Sequence, residues 1–284
     1  MKFRPTDKIS FIYLAFNIIY MILGYSRVHN ALLHLSIFIL FAVGIFLLVA
    51  FPARNKFLIF LRDWYPIILS AYFFEATSAM NLVIIPEFTD VFFQKIDMMI
   101  FGYQPAIEWG AKLDNFVVQE IMHFAYFSYY ALIPIVGFFI YNKSKETFHK
   151  FMFAMSFVYY ICLIIYSILP VIGGRYWEIT MELTKIYRYG IFTRVMAYIY
   201  SHTTHLGGAF PSSHVAIAVA VSIAAVQHHK KTGYLVVFIT FLLSLSTVYC
   251  HYHYFIDTIF GIIFGIALFL WGQKIYTKAV AKEC

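Results

Sequence analysis

The chain is poor in charge. Only 12% of its 284 residues are Asp, Glu, Lys or Arg, about half the roughly 25% of a soluble domain. At the same time 62% are hydrophobic. A soluble chain of this length buries a large core, but it cannot hide this much apolar surface. The composition therefore excludes a soluble globular protein and points to an integral membrane protein. Cysteine is scarce as well. Cys162, Cys250 and Cys284 are too few and too scattered for a disulfide framework or a cysteine-based zinc site. No basic cluster interleaved with aromatics accompanies the formal charge of +7, so nucleic acid is not an expected partner. In a membrane protein such a charge points to cytoplasmic loops rich in Lys and Arg. No internal repeat, low-complexity tract or long linker divides the chain.

The apolar residues fall into runs. A spanning helix needs about 20 of them, and eight segments qualify: about 9–25, 31–51, 65–86, 121–141, 151–172, 212–227, 234–250 and 254–272. The opening MKFRPTDK and its apolar run resemble a signal peptide, but the run ends GYSRVHN with no small-residue cleavage site. It is expected to be a retained first helix. The expected fold is all-α: a polytopic membrane helix bundle of about eight transmembrane helices. Two longer polar stretches, 87–120 and 173–211, mix aromatics with charges and are expected to carry short interfacial helices. If each segment crosses once, fourteen basic residues fall on the N-terminal side and seven on the other, accounting for all 21. The N- and C-termini are then cytoplasmic.

Three polar clusters interrupt the pattern, and the charge-based topology puts all three on the extracytoplasmic side: GGRYW at 173–177, GGAFPSSHV at 207–215 and HYHYFID at 251–257. His253 and Asp257 are four apart and share a face on a helix. A carboxylate on one imidazole nitrogen leaves the other as a lone-pair donor, which makes a histidine nucleophilic. The bland alternative is a polar pair satisfying itself between helices. In FPSSH, Pro211 suits a first helical position. Ser212, Ser213 and the free N–H groups of a first turn make a seat for an anion, with Gly207 and Gly208 allowing close backbone approach. His214, one step inside, is placed to protonate a leaving oxygen. Simple capping by Ser212 is the alternative. Arg175 has the forked guanidinium suited to a phosphoryl group, although an arginine just outside a span also snorkels to lipid phosphates.

The order Arg…Pro-Ser-x-His…His-x-x-x-Asp resembles the type-2 phosphatidic acid phosphatase superfamily. The likeness covers roughly residues 60–272. GGAFPSSH, VYCHYHYFID, IDMMIFGYQP and FAYFSYY (124–130) are similar to its inositolphosphotransferase branch, which includes the fungal inositol phosphorylceramide synthases. The resemblance implies a six-helix catalytic core over 61–284 preceded by two added N-terminal helices in 1–60. It implies phosphoryl transfer on a lipid phosphate through a phosphohistidine, with no metal and no cofactor. His253 becomes the nucleophile, Asp257 its orienting partner and His214 the general acid and later base, while Arg175, Ser212 and Ser213 hold phosphate oxygens. The partners implied are a membrane phospholipid and a lipid or polyol alcohol acceptor. Three positions depart from the superfamily pattern. Ile168 stands where a lysine is usual, Tyr176 where a proline is usual, and Ser246-Thr247 where Ser-Arg is usual. Two positive charges of the phosphatase pocket are missing. A phosphomonoester carries nearly two negative charges and a diester one, so the departures favour a diester and headgroup transfer over a lipid phosphomonoester phosphatase, the alternative being that Lys185, Arg188 or Arg194 folds back to supply the missing charge.

Two other classes compete. His202, His205, His251, His253 and Asp257 could gather around zinc. Alternatively, Glu75, Asn81 and His123, which lie within spans, could line a transport path. Interhelical hydrogen bonding is the plainer expectation for those three. Trp64, Trp109, Trp177 and Trp271 fall near expected membrane boundaries, as an aromatic belt does.

Overall fold

The computed structural model describes residues 3–51, 55–181, 190–202 and 205–282. Among them are eleven α-helices: α1 (Pro5–Leu23), α2 (Ala31–Ala50), α3 (Lys56–Met80), α4 (Asp90–Phe101), α5 (Pro105–Lys112), α6 (Phe116–Lys143), α7 (Lys145–Ile168), α8 (Ile191–Ser201), α9 (Ser213–His228), α10 (Lys230–Tyr249) and α11 (Phe255–Ala281). Seven of them, α1, α2, α3, α6, α7, α10 and α11, are long and apolar enough to cross a membrane. The eighth expected segment is α9, which is apolar but has only 16 residues. The chain is an all-helical, multi-pass membrane bundle. The polar stretches carry the expected short helices α4, α5 and α8, with a 3-10 turn at Gly174–Tyr176.

The shortest apolar helix is also the central one. α9 packs against α6, α7, α10 and α11. Its sequence, SHVAIAVAVSIAAVQH, is built on alanines, and small side chains let backbones approach closely where no water drives the helices together. α11 answers with Gly261 and Gly265, which lie over the Ser212 and Ala216 carbonyls. At a rise of about 1.5 Å per residue, α9 covers about 24 Å, less than the roughly 30 Å of a hydrocarbon core. The remainder is the loop 205–212, irregular backbone that is tolerated at depth because protein surrounds it.

Polar anchors hold the two ends of the bundle. At the end carrying the start of α1, Asp63 of α3 receives Arg4 Nη1 at 2.6 Å, His149 Nε2 at 3.1 Å and Lys145 Nζ at 3.5 Å. That cluster explains why α3 begins at Lys56, nine residues before the expected start: its charged first turns are paired rather than solvated. α1 also stacks Tyr13 on Tyr160 of α7, with ring centroids 4.4 Å apart. α2 packs on α1 and α3. Trp64, only 5% exposed, sits between Phe60, Tyr141 and Phe148 and belongs to the core, not to a boundary belt.

Candidate active site

At the opposite end of the bundle, carboxylates of α4 organise three loops. Asp90 accepts from the backbone of Ile172 at 3.0 Å and of Gly173 at 2.9 Å, and from the Tyr254 hydroxyl at 2.8 Å. Asp97 accepts from the Phe255 and Ile256 amides at 2.7 and 3.1 Å, capping the first turn of α11. Burial pushes its carboxyl up, against the lowering effect of those two amides. The Ala209 amide donates to the Val171 carbonyl at 2.8 Å, joining the GGRYW and FPSSH segments in a short parallel bridge. Gly173 has φ +87°, and a Cβ there would strike the Tyr252 carbonyl. The three clusters read from the sequence are thus one assembly.

After α10 the chain turns sharply. His251 adopts a left-handed φ of +67°, and the Tyr252 and His253 amides both donate to the Thr247 carbonyl at 3.0 Å. This turn delivers His253 to the assembly. Its Nδ1–H donates to the Ala209 carbonyl at 2.9 Å. A carbonyl only accepts, so this bond sets the tautomer and leaves Nε2 with its lone pair. Burial pushes the His253 imidazole down to about 4. Asp257 Oδ2 lies 3.6 Å from the same Nδ1, beyond hydrogen-bonding distance, and accepts from the Tyr254 amide at 2.9 Å. The bond expected from Asp257 is therefore made by a backbone carbonyl, and the carboxylate serves α11 as a cap.

His214 lies beside His253, their ring centroids 6.1 Å apart. Tyr200 donates its hydroxyl proton to the Tyr126 hydroxyl at 2.7 Å, and the Tyr126 hydroxyl meets His214 Nε2 at 3.2 Å. Arg175 stacks on the Tyr200 ring at 3.7 Å, and its Nη2 donates to the Tyr200 carbonyl at 2.8 Å. α8, which carries Tyr200, is itself held by Glu120 of α6, which accepts from the Phe192 and Thr193 amides at 2.9 Å.

Arg175, Ser213, His214 and His253 line one cavity of about 550 Å³, together with Tyr126, Tyr200, Tyr252 and His205. Ser212 and Asp257 do not line it. Ser212 is the N-cap of α9, and its Oγ accepts from the Val215 amide. Pro211 precedes that cap instead of opening the helix. The first-turn amides expected to seat an anion are largely spent. Ser212 N–H donates to the Asp257 carbonyl at 3.0 Å and Ser213 N–H to the Tyr166 hydroxyl at 2.9 Å. Among the described residues Arg175 is the single Lys or Arg on the cavity wall. Arg194 is exposed elsewhere, while Lys185 and Arg188 lie outside the described residues.

A family model described as the PAP2 superfamily matches residues 97–271. The chain belongs to the PAP2 superfamily. Its members are phosphatases and phosphotransferases, so this is an enzyme of lipid-phosphate chemistry. No curated protein matches the chain, and no solved structure does. The PAP2 match contains the three polar clusters and begins at Asp97, the cap of α11. It excludes α3, whose residues Ile67, Ser70, Ala71, Phe74 and Glu75 form another wall of the cavity.

Tyr126, Tyr200, Tyr252 and the Ala209 carbonyl carry no distinguishing mark in the sequence. FAYFSYY and the HYHY run contain two of these tyrosines, but aromatic abundance concealed them. The histidines proposed for zinc have separate partners. His205 stacks on Phe74 and bonds Thr77, and His251 Nδ1 bonds the Ala106 carbonyl. Among the described residues no group of three or more His, Cys, Asp or Glu is arranged for a metal ion. Asn81 donates to the Leu206 carbonyl in the loop before α9, and His123 to the Gln119 carbonyl of its own helix, so neither makes the interhelical bond expected of it.

Proposed function

We propose that the chain transfers the headgroup phosphate of a membrane phospholipid through a phosphohistidine on His253. The observation carrying this reading is the His253 Nδ1–H bond to the Ala209 carbonyl, which leaves Nε2 nucleophilic beside His214 in a cavity that also holds Arg175. Nε2 attacks phosphorus in line as the bond to the lipid alcohol breaks. Protonated His214 gives its proton to the departing alkoxide, so diacylglycerol leaves neutral and the phosphoryl group stays on nitrogen. Neutral His214 then takes the proton of an incoming hydroxyl, whose oxygen displaces His253. Arg175 and the Ser213 hydroxyl hold the phosphoryl oxygens throughout. Positioning and charge stabilisation supply most of the rate. The single cationic side chain on the described wall suits the one charge of a phosphodiester, and so favours inositolphosphotransferase-like headgroup transfer over hydrolysis of a phosphomonoester. α3 to α11 form the catalytic unit in this reading, with α1 and α2 as an addition. The excess of basic residues on the opposite side supports cytoplasmic termini and an extracytoplasmic cavity.

The test is incubation of the purified protein with phosphorus-labelled phospholipids, with and without ceramide or other alcohol acceptors. A new phospholipid marks transfer, and free phosphate from phosphatidic acid marks a phosphatase. Label trapped on the protein in acid-labile form, absent from a folded His253→Ala variant, supports the intermediate. Normal turnover by that variant refutes it.

A further inference from the structure

Glu75 is a carboxylate in the upper half of a membrane-crossing helix, and it is exposed. No hydrogen bond or ion pair to it occurs among the described residues. A charged side chain within a membrane span is costly when nothing answers it, and tends to mark function. The residues of α3 on the cavity wall, at 67, 70, 71, 74 and 75, recur at helical spacing and define one face. Phe74, the neighbour of Glu75, stacks on His205 and stands 6.4 Å from the His214 ring. Glu75 is therefore level with the reacting groups. A second polar group is unspent nearby. Tyr130 of α6 lines the same cavity, is 44% exposed, and its hydroxyl has no hydrogen-bond partner among the described residues. α3 and α6 each pack on α7, and both contribute side chains to the cavity wall.

A carboxylate beside a phosphoryl site repels the phosphate that Arg175 attracts. It is useful only if the same substrate also brings a hydrogen-bond donor. Glu75 accepts and never donates, whereas Tyr130 does both. A hydroxyl group, which donates and accepts, satisfies the pair. An ammonium, which only donates, leaves the tyrosine proton without an acceptor.

Building on the functional reading above, we propose that Glu75 and Tyr130 are the specificity determinants of the cavity, receiving the hydroxyls of a polyol carried by the donor headgroup or the acceptor. α3 lies outside the span matched by the superfamily, although its residues form part of the cavity wall.

The experiment compares kcat/KM of wild type, Glu75→Gln, Glu75→Ala and Tyr130→Phe on phosphatidylglycerol, phosphatidylinositol, phosphatidylethanolamine and phosphatidic acid in mixed micelles. Thermal unfolding serves as the check on folding. The wild type is expected to prefer the two polyol lipids. Both Glu75 variants are expected to lose at least tenfold on these lipids, the loss of one charge-assisted hydrogen bond, and to stay within about twofold on phosphatidic acid. Tyr130→Phe is expected to lose a smaller factor on the same two lipids. Free glycerol or inositol, added as acceptor with phosphatidic acid as donor, separates the two sources. An effect confined to polyol phosphate formation assigns the pair to the acceptor, and one confined to polyol lipid consumption assigns it to the donor. Equal losses on all four lipids overturn the proposal, as does a preference for the ethanolamine lipid. Wild-type turnover of phosphatidic acid alone also overturns it, and leaves phosphoryl transfer standing. Failure of the wild type on every lipid overturns both.

Discussion

His253 gives its Nδ1 proton to the Ala209 carbonyl at 2.9 Å, while Asp257, four residues on, stands 3.6 Å from that nitrogen and caps its own helix. The tautomer of His253 is thus held by backbone from the neighbouring loop. A carboxylate that alone orients a catalytic histidine costs about 10⁴ in kcat when made an amide, because the wrong tautomer results. Here the backbone bond persists in Asp257→Asn, and the amide oxygen still accepts from the Tyr254 amide. Its kcat is expected to fall only about tenfold. Steady-state assays of Asp257→Asn beside His253→Ala check this. Equal, complete loss in both returns the orienting role to Asp257.

The pH dependence follows from burial of the loop imidazoles. His253 and His205 are each pushed down to about 4 by desolvation, against about 6.5 in an unfolded chain. Between those values the unfolded state binds protons that the folded state refuses. Stability is therefore expected to be unaffected by these groups above about pH 6.5 and to decline as pH falls toward 4, flattening below. The acid limb of kcat/KM should lie near 4, where His253 loses its lone pair. Chemical denaturation and initial rates from pH 3.5 to 8 measure both. An acid limb near 6.5 contradicts the buried, neutral nucleophile.

Tyr126 bridges Tyr200 and His214. Removing its hydroxyl leaves both partners without that bond and the ring packing intact. A net hydrogen bond is worth about 0.5–1.5 kcal/mol, so Tyr126→Phe is expected to lower kcat by about three- to tenfold. The pH profile of kcat should move with it, because the bond bears directly on the His214 imidazole. A reduced rate with an unmoved profile assigns Tyr126 to packing alone.

Asp97 touches no reacting atom, yet it caps the helix that follows His253. Losing such a cap costs about 0.5–2 kcal/mol. Asp97→Ala is expected to lower the unfolding temperature and kcat together, and Asp97→Asn, which keeps an acceptor oxygen, to restore most of both. Asp97→Asn behaving as badly as alanine shows that the charge, not the cap, matters.

The legible parts of this molecule were those written in local pattern. Apolar runs mark the long helices, and the three polar clusters with their family resemblance point to Arg175, Ser213, His214 and His253, which share a cavity, but also to Ser212 and Asp257, which do not line it. Helix ends are less legible because an apolar run does not show where charged residues extend a helix by pairing across the fold. Asp63 and Arg62 lie inside α3, where Arg4 and His149 pair with Asp63 across the fold. The anion seat at FPSSH is only partly legible for a similar reason. A first turn shows free amides only in isolation, and here Tyr166 from α7 and the Asp257 carbonyl from α11 use two of them. Backbone contributions such as the Ala209 carbonyl leave no mark on sequence at all.

Close packing of α11 on α9 gives the last prediction. A Cβ on Gly261 would come within 2.7 Å of the Ser212 carbonyl oxygen and 3.0 Å of Val215 Cβ. Neither is a flexible side-chain tip, so α9 must shift, and its first turn carries Ser213 and His214. Gly261→Ala is expected to destabilise by about 1–3 kcal/mol, the usual cost of overpacking, and to lower kcat more than it raises KM. Gly44 on α2 is the control. A Cβ there meets nothing within 4 Å, and alanine gains about 0.5–1 kcal/mol over glycine in a helix. Gly44→Ala should keep full activity and unfold at an equal or higher temperature. Thermal unfolding in detergent and steady-state rates of the two variants decide the matter. A Gly261→Ala protein as stable and active as wild type shows that the backbone contact between α9 and α11 does not hold the cavity in shape.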